Sequence, residues 1–109
     1  MERKKVALEI AQDLFAAEAA IDAAYAATAT LAATLADGRV RAKLSAVIGQ
    51  DAFDKISQVM VRQAEVRGVM IQAHHALAQA QTDIGLRHVA FGFPDKPAAP
   101  STLRAVEAA

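Results

Sequence analysis

The chain has 109 residues, no cysteine, and 12 basic residues balanced by 12 acidic ones. Without cysteine it cannot form a disulfide, a thiolate nucleophile or a cysteine-containing metal site. The formal net charge of zero argues against nucleic acid and against an anionic membrane surface as partners, since both need an excess of cationic side chains. Length and composition therefore indicate one small domain, expected in the cytoplasm.

Alanine dominates the apolar content. Hydrophobic residues make up 54% of the chain, and 28 residues of the chain are alanine. Burial stabilises by about 25 cal/mol per Å² of apolar surface, and a methyl side chain offers little of it. Alanine is also the best helix former, and its small size lets helices approach closely. The composition predicts close-packed helices that need a second subunit to complete a core.

The first predicted element is a long helix over about 3–36, a segment without glycine or proline. Its apolar residues recur alternately three and four apart, which is the a/d seam of a coiled coil. The seam residues are Ala7, Ile10, Leu14, Ala17, Ile21, Ala24, Thr28, Leu31 and Leu35. Gly38 is predicted to end this helix as a left-handed C-terminal cap.

Residues 39–48 are predicted to form a short intervening amphipathic helix. Gly49 is interpreted as a break, and Asp51 as the N-cap of the helix that follows. The alternative is one continuous helix from Arg39 to Ile84 that tolerates Gly49 in its interior.

A second long helix is predicted over about 51–84, with a seam of the same spacing. Its seam residues are Ile56, Val59, Gln63, Val66, Met70, Ala73, Leu77, Ala80 and Ile84. Gln63 either is buried and fixes the register of the two helices, or lies at the solvent-exposed edge of the helix interface. Gly68 inside the helix costs about 1 kcal/mol relative to alanine, unless another backbone packs against it. Gly85 is predicted to end the helix.

These elements predict an all-α fold, a long antiparallel coiled-coil-like hairpin over residues 1–86. Residues 87–109 contain all three prolines and are predicted to be an extended tail, with a short helix over 102–107. Within the tail, Val89, Phe91 and Phe93 alternate and are candidate contacts for a protein partner.

The first helix carries further apolar residues outside its seam, at Leu8, Phe15 and Tyr25. A helix that is apolar on two sides usually has two partners. The simplest arrangement is a homodimer in which two hairpins form a four-helix bundle, with these three residues at the interface. In the alternative, Leu8 and Phe15 pack under the short helix or the tail of the same chain.

His74 and His75 are the only candidates for metal ligands. Neighbouring residues on a helix point about 100° apart, so both cannot bind one ion from a single helix. A site would need His88 or carboxylates of the first helix, where Glu9/Asp13 and Glu18/Asp22 are each four residues apart. We expect the two histidines to lie on the surface or at the edge of the seam.

The longest uncharged run in the first half of the chain, residues 23–36, is shorter than the roughly 20 residues that span a bilayer. We therefore expect no membrane span. The small basic patch of Arg39, Arg41 and Lys43 lacks the aromatic residues that single-stranded nucleic acid stacks on. We interpret it as a solvated turn that neutralises Asp37.

No phosphate-binding loop, nucleophile elbow or metal-binding cluster occurs in the sequence. We therefore predict no catalytic residues, no cofactor and no enzymatic activity. The hypothesis is a small structural or protein-interaction protein that acts as a helical oligomer. The alternative is a metal- or small-ligand-binding bundle that uses His74 or His75 with carboxylates of the first helix.

Overall fold

The computed structural model describes residues 2–85 and is entirely helical over this range apart from the connection and the last turn. Helix α1 spans Glu2–Arg41 and helix α2 spans Gln50–Asp83, with residues 42–49 between them. The predicted all-α helical hairpin is confirmed. The predicted tail, including its short helix over 102–107, lies outside the described residues.

The predicted end of the first helix is wrong, and so is the separate helix over 39–48. Gly38 lies inside α1, which continues to Arg41, and the connection 42–49 contains turns and no helix. The N–H of Ala42 still donates to the carbonyl of Gly38 at 2.9 Å, in the normal helical pattern. The helix passes through Gly38 because the residue that takes the left-handed conformation comes five positions later.

Lys43 ends α1 in place of the expected glycine. Its φ is 57°, and its N–H donates to the carbonyl of Val40 at 3.0 Å. The N–H of Leu44 donates to the carbonyl of Arg39 at 3.1 Å. These two bonds form a Schellman motif, which satisfies carbonyls at the end of the helix. The guanidinium of Arg39 in turn donates to the carbonyl of Leu44 at 3.1 Å and closes the turn.

The predicted break at Gly49 is confirmed, and the continuous helix from Arg39 to Ile84 is wrong. Gly49 has a φ of 83°, a conformation that an interior helical residue does not adopt. Its carbonyl accepts the first helical hydrogen bond, from the N–H of Phe53 at 3.0 Å. Gly49 is therefore the N-cap of α2. Asp51, predicted as the N-cap, lies in the first turn, where its charge still complements the helix dipole.

The C-terminus of α2 follows the prediction. Gly85 has a φ of 83°, and its N–H donates to the carbonyl of Thr82 at 3.0 Å. Within α2, no atom approaches within 4 Å of the place that a Cβ on Gly68 would occupy. Within the described residues, therefore, no backbone packs against Gly68 to offset its helix-propensity cost.

The hairpin divides into two compact units, each with a segment of both helices. In the described range, the terminal unit consists of residues 2–15 and 74–85, and the loop unit of residues 16–73. Each is treated separately below.

In the terminal unit, α1 and α2 meet at a register that differs from the predicted seam. The buried residues are Ala7, Ala11, Leu14, His74 and Gln81. Ala7 and Leu14 belong to the predicted seam, but Ala11, His74 and Gln81 each follow a predicted seam residue by one position. The residues they replace at the interface, Ile10, Ala73 and Ala80, are exposed.

The loop unit keeps most of the predicted seam, and the burial shifts by one residue only at Ala32 and Met60. Ile21, Thr28 and Leu35 on α1 and Ile56, Gln63 and Met70 on α2 are partly buried, as the seam predicts. Met60 is partly buried, whereas its predicted neighbour Val59 is 44% exposed. Leu31 and Val66, also predicted seam residues, are 54% and 52% exposed.

Two polar contacts hold the loop unit in this register. The side-chain amide of Gln63 donates to the hydroxyl of Thr28 at 3.0 Å. The guanidinium of Arg67 donates to the carboxylate of Asp22 at 2.8 Å. Residue numbers fall on one helix as they rise on the other, so the two helices are antiparallel here. The Arg67–Asp22 pair is exposed and contributes only about 0–1 kcal/mol to the free energy of unfolding. The two contacts nevertheless require that Gln63 and Arg67 face α1.

Replacing Lys43 with glycine should raise the free energy of unfolding by about 0.5–1 kcal/mol. Glycine lacks the Cβ that makes a left-handed conformation costly, and it keeps both backbone bonds of the Schellman motif. Urea denaturation of Lys43→Gly, with Lys43→Ala as a control that retains a Cβ, measures this. A glycine variant no more stable than the alanine variant would contradict the assigned cap.

Candidate protein-interaction surface

In the terminal unit, an apolar groove lies between the two helices. Its volume is about 320 Å³. The apolar side chains that line it are Val6, Ala7, Ile10, Leu77, Ala80 and Ile84, with Glu2, Arg3 and Gln81 also contributing. Val6, Ile10 and Ile84 are all exposed. The groove is therefore an apolar surface that α1 and α2 leave open to solvent.

A similar groove lies in the loop unit. Its volume is about 300 Å³, and it is lined by Ile21, Ala24, Val59, Arg62, Gln63 and Val66. Val59 and Val66 lie seven residues apart on one side of α2, with Arg62 and Gln63 between them. The loop unit thus also exposes an apolar strip, interrupted by one cationic and one amide side chain.

The exposed residues of both grooves include the seam positions that the register shift turns outward. We call these residues the uncovered flank, defined in the terminal unit by Ile10, Ala80 and Ile84, and in the loop unit by Ala24, Val59 and Val66. Contiguous exposed apolar surface in a protein usually marks a site for another protein or a membrane. The sequence analysis predicts that these residues pack between α1 and α2 of the same chain. In the structure they are exposed.

The predicted interface residues Leu8, Phe15 and Tyr25 are exposed. Leu8 and Phe15 lie in the terminal unit, and Tyr25 in the loop unit. On a helix, Leu8 is about 200° away from Ile10, so it lies on the opposite side of α1 from the uncovered flank. Their role at an interface remains a prediction. Val89, Phe91 and Phe93 lie outside the described residues.

The two histidines face different environments. His74 is only 6% exposed, so its expected place on the surface or at the seam edge is wrong, whereas His75 is exposed. His74 is buried because the register shift moves it into the position expected for Ala73. Between residues 2 and 85, no three His, Asp or Glu side chains come close enough to hold a metal ion. His88 lies beyond this range.

The basic patch at the end of α1 takes part in local structure. Arg41 donates to the carboxylate of Asp37 at 2.6 Å, as expected for a turn that neutralises Asp37. Arg39 binds the carbonyl of Leu44, and Lys43 provides the left-handed residue of the cap. The three cations therefore hold the end of a helix together.

Helix α1 meets the length and composition criteria for a membrane span. An 18-residue window within it has a mean hydropathy of 1.3, and none of that window is buried. The sequence analysis does not predict this window because it considers only uncharged runs. A window that contains one or two charged residues can still have a high mean hydropathy. The core helix of a water-soluble protein and an N-terminal signal sequence meet the same criteria.

Gln63 is the polar residue of the loop-unit groove whose hydrogen bonding is incomplete. Its Nε2 donates to Thr28, whose hydroxyl in turn donates to the carbonyl of Ala24 at 2.9 Å. Its Oε1 is buried and accepts no hydrogen bond from the described residues. Buried acceptors are nearly always paired, and this oxygen is an exception among the described residues.

Comparison with known proteins adds no relative: no protein family matches the chain, and neither curated proteins nor solved structures give a match.

Replacing Thr28 with valine should lower the free energy of unfolding by about 1–2 kcal/mol, because the amide of Gln63 then loses its partner in a partly buried site. Thr30→Val is the matched control, since the Thr30 hydroxyl donates only to the carbonyl of Ala26, one turn earlier on α1. Chemical denaturation of the two variants measures the difference. Equal losses from both would show that the Gln63–Thr28 bond does not stabilise the hairpin.

Proposed function

We propose that this chain is a small, non-enzymatic protein-interaction protein that works in the cytoplasm as a helical oligomer. Its form would be a homodimer in which two hairpins build a four-helix bundle. The observation that supports this proposal is the uncovered flank. In each unit, a helix of a second subunit placed in the groove would cover the apolar side chains that the unit leaves exposed.

The small core of the hairpin supports the same proposal. Among residues 2–85, the buried hydrophobic residues are Ala7, Ala11 and Leu14, and no side chain is fully buried. Ordering a residue costs about 1–2 kcal/mol in backbone entropy. Two buried alanines, one buried leucine and partly buried side chains such as Ile21, Ile56 and Met70 form a small apolar core for helices of 40 and 34 residues. Burial between subunits would supply the missing apolar contact.

Light scattering after size exclusion should give twice the 11.5 kDa mass of the chain at micromolar concentration. Val66→Glu should convert the dimer to monomer, because it places a charge in the apolar interface. Val61→Glu is the matched control: Val61 is 59% exposed on the same helix but does not line the loop-unit groove. It should leave the mass unchanged.

Three outcomes would contradict the proposal in different ways. A wild-type chain of monomeric mass would exclude the dimer. Dissociation by Leu8→Glu with Phe15→Glu, but not by Val66→Glu, would place the interface on the opposite side of α1. Flotation of the wild-type chain with phosphatidylcholine vesicles, abolished by Val66→Glu, would show that a bilayer covers the uncovered flank.

A further inference from the structure

The chain leaves α2 at one end of the apolar groove of the terminal unit. Ile84 lines the groove, and Gly85, whose left-handed conformation ends the helix, follows it directly. The groove extends over seven residues of each helix, from Arg3 to Ile10 and from Leu77 to Ile84, which is about 10 Å at the rise of an α-helix. The residues that follow Gly85 therefore start beside an apolar surface that the two helices leave exposed.

The turn at Gly85 directs the chain towards this groove. At the end of α1, Lys43 is left-handed, and the N–H of the next residue, Leu44, completes a Schellman motif. Gly85 is also left-handed and makes the same first bond, and a leucine, Leu86, again comes next in the sequence. In this motif, the residue after the left-handed one bonds to the carbonyl five residues earlier and packs against the same turn. For Leu86 that carbonyl belongs to Gln81, which lines the groove.

The sequence after Gly85 carries large apolar residues that suit such a surface. Val89, Phe91 and Phe93 alternate with other residues, so an extended backbone places all three on one side over about 13 Å, close to the length of the groove. Pro94 favours an extended backbone at the residue before it. Four extended residues span up to about 13 Å, so Val89 can reach back from the end of α2 into the groove.

We propose that residues 86–93 of the same chain, which lie beyond the described range, dock in the groove of the terminal unit and cover its apolar side chains. The tether favours the chain's own segment as the occupant, because it raises the effective concentration of the segment to about the millimolar range. The proposal goes beyond the proposed function and does not depend on it. A second subunit that places a helix in this groove displaces the segment, so residues 86–93 compete with self-association in the terminal unit and leave the loop-unit groove open.

Limited proteolysis with trypsin tests the proposal on the intact chain. Arg87 lies within the segment and Arg104 lies beyond it, so mass spectrometry can compare the two cleavage rates in the same molecule. Each rate is divided by the rate at the same site in a synthetic peptide of residues 84–109, which corrects for the local sequence. Normalised cleavage after Arg87 should be at least about tenfold slower than after Arg104, because the protease acts only on the fraction of molecules with an undocked segment.

Substitutions on both sides of the contact should remove this protection. Ile10→Glu places a charge in the groove and should bring cleavage after Arg87 to the rate in the peptide. Leu8→Glu is the matched control, because Leu8 is exposed on the opposite side of α1, and it should retain the protection. Phe91→Ser with Phe93→Ser alters only the segment, so it should remove the protection while the helicity measured by circular dichroism stays unchanged.

Equal normalised rates at Arg87 and Arg104 in the wild-type chain would overturn the proposal. Protection that survives the double serine variant would also overturn it, since the end of α2 alone would then cause the protection, and so would protection that both glutamate variants remove equally. Protection that appears only when the protein concentration is raised about a hundredfold would show that a second chain covers the segment. Light scattering separates this proposal from the proposed function: a monomeric mass would overturn the dimer and leave docking within the chain intact.

Discussion

A helix can turn only a limited stripe of side chains towards a single neighbour, normally two positions per heptad. Both helices of this hairpin carry apolar residues at more positions than that. In the terminal unit, the contact uses Ala7, Ala11 and Leu14, so Ile10 on the same turn faces outward. In the loop unit, Val59 and Val66 face outward in the same way. The exposed grooves, the small core and the proposed self-association all follow from this limit.

Polar contacts decide which positions face the partner helix. By hydrophobicity alone, Val59 and Val66 are better interface residues than Gln63 or Arg67. Gln63 and Thr28 keep their predicted seam positions and bond to each other. Arg67 follows the predicted seam residue Val66 by one position, and its bond to Asp22 forms only when this position faces α1. That Gln63 fixes the register stays a prediction.

The sequence predicts the features that depend on one strong local preference. Gly49 precedes α2 and Gly85 follows it, both with a positive φ that suits glycine, and the sequence predicts a helix boundary at each. The sequence does not predict the end of α1 correctly, because Lys43 takes the left-handed conformation and lysine has no preference for it. The sequence also does not predict the uncovered flank, for a different reason. Heptad spacing identifies which residues are apolar but not which of two adjacent positions faces the partner, and that choice depends on contacts between distant residues such as Asp22 and Arg67.

We propose that the hairpin alone buries too little apolar surface and gains its stability from a second chain that covers the exposed apolar grooves. The most direct test is the thermal unfolding midpoint, followed by circular dichroism over a hundredfold range of protein concentration. If folding is coupled to dimerisation, the midpoint should fall by several degrees on dilution, because mass action favours the separated chains. If the midpoint stays constant over the whole range, with full helicity at every concentration, the hairpin is stable without a second chain.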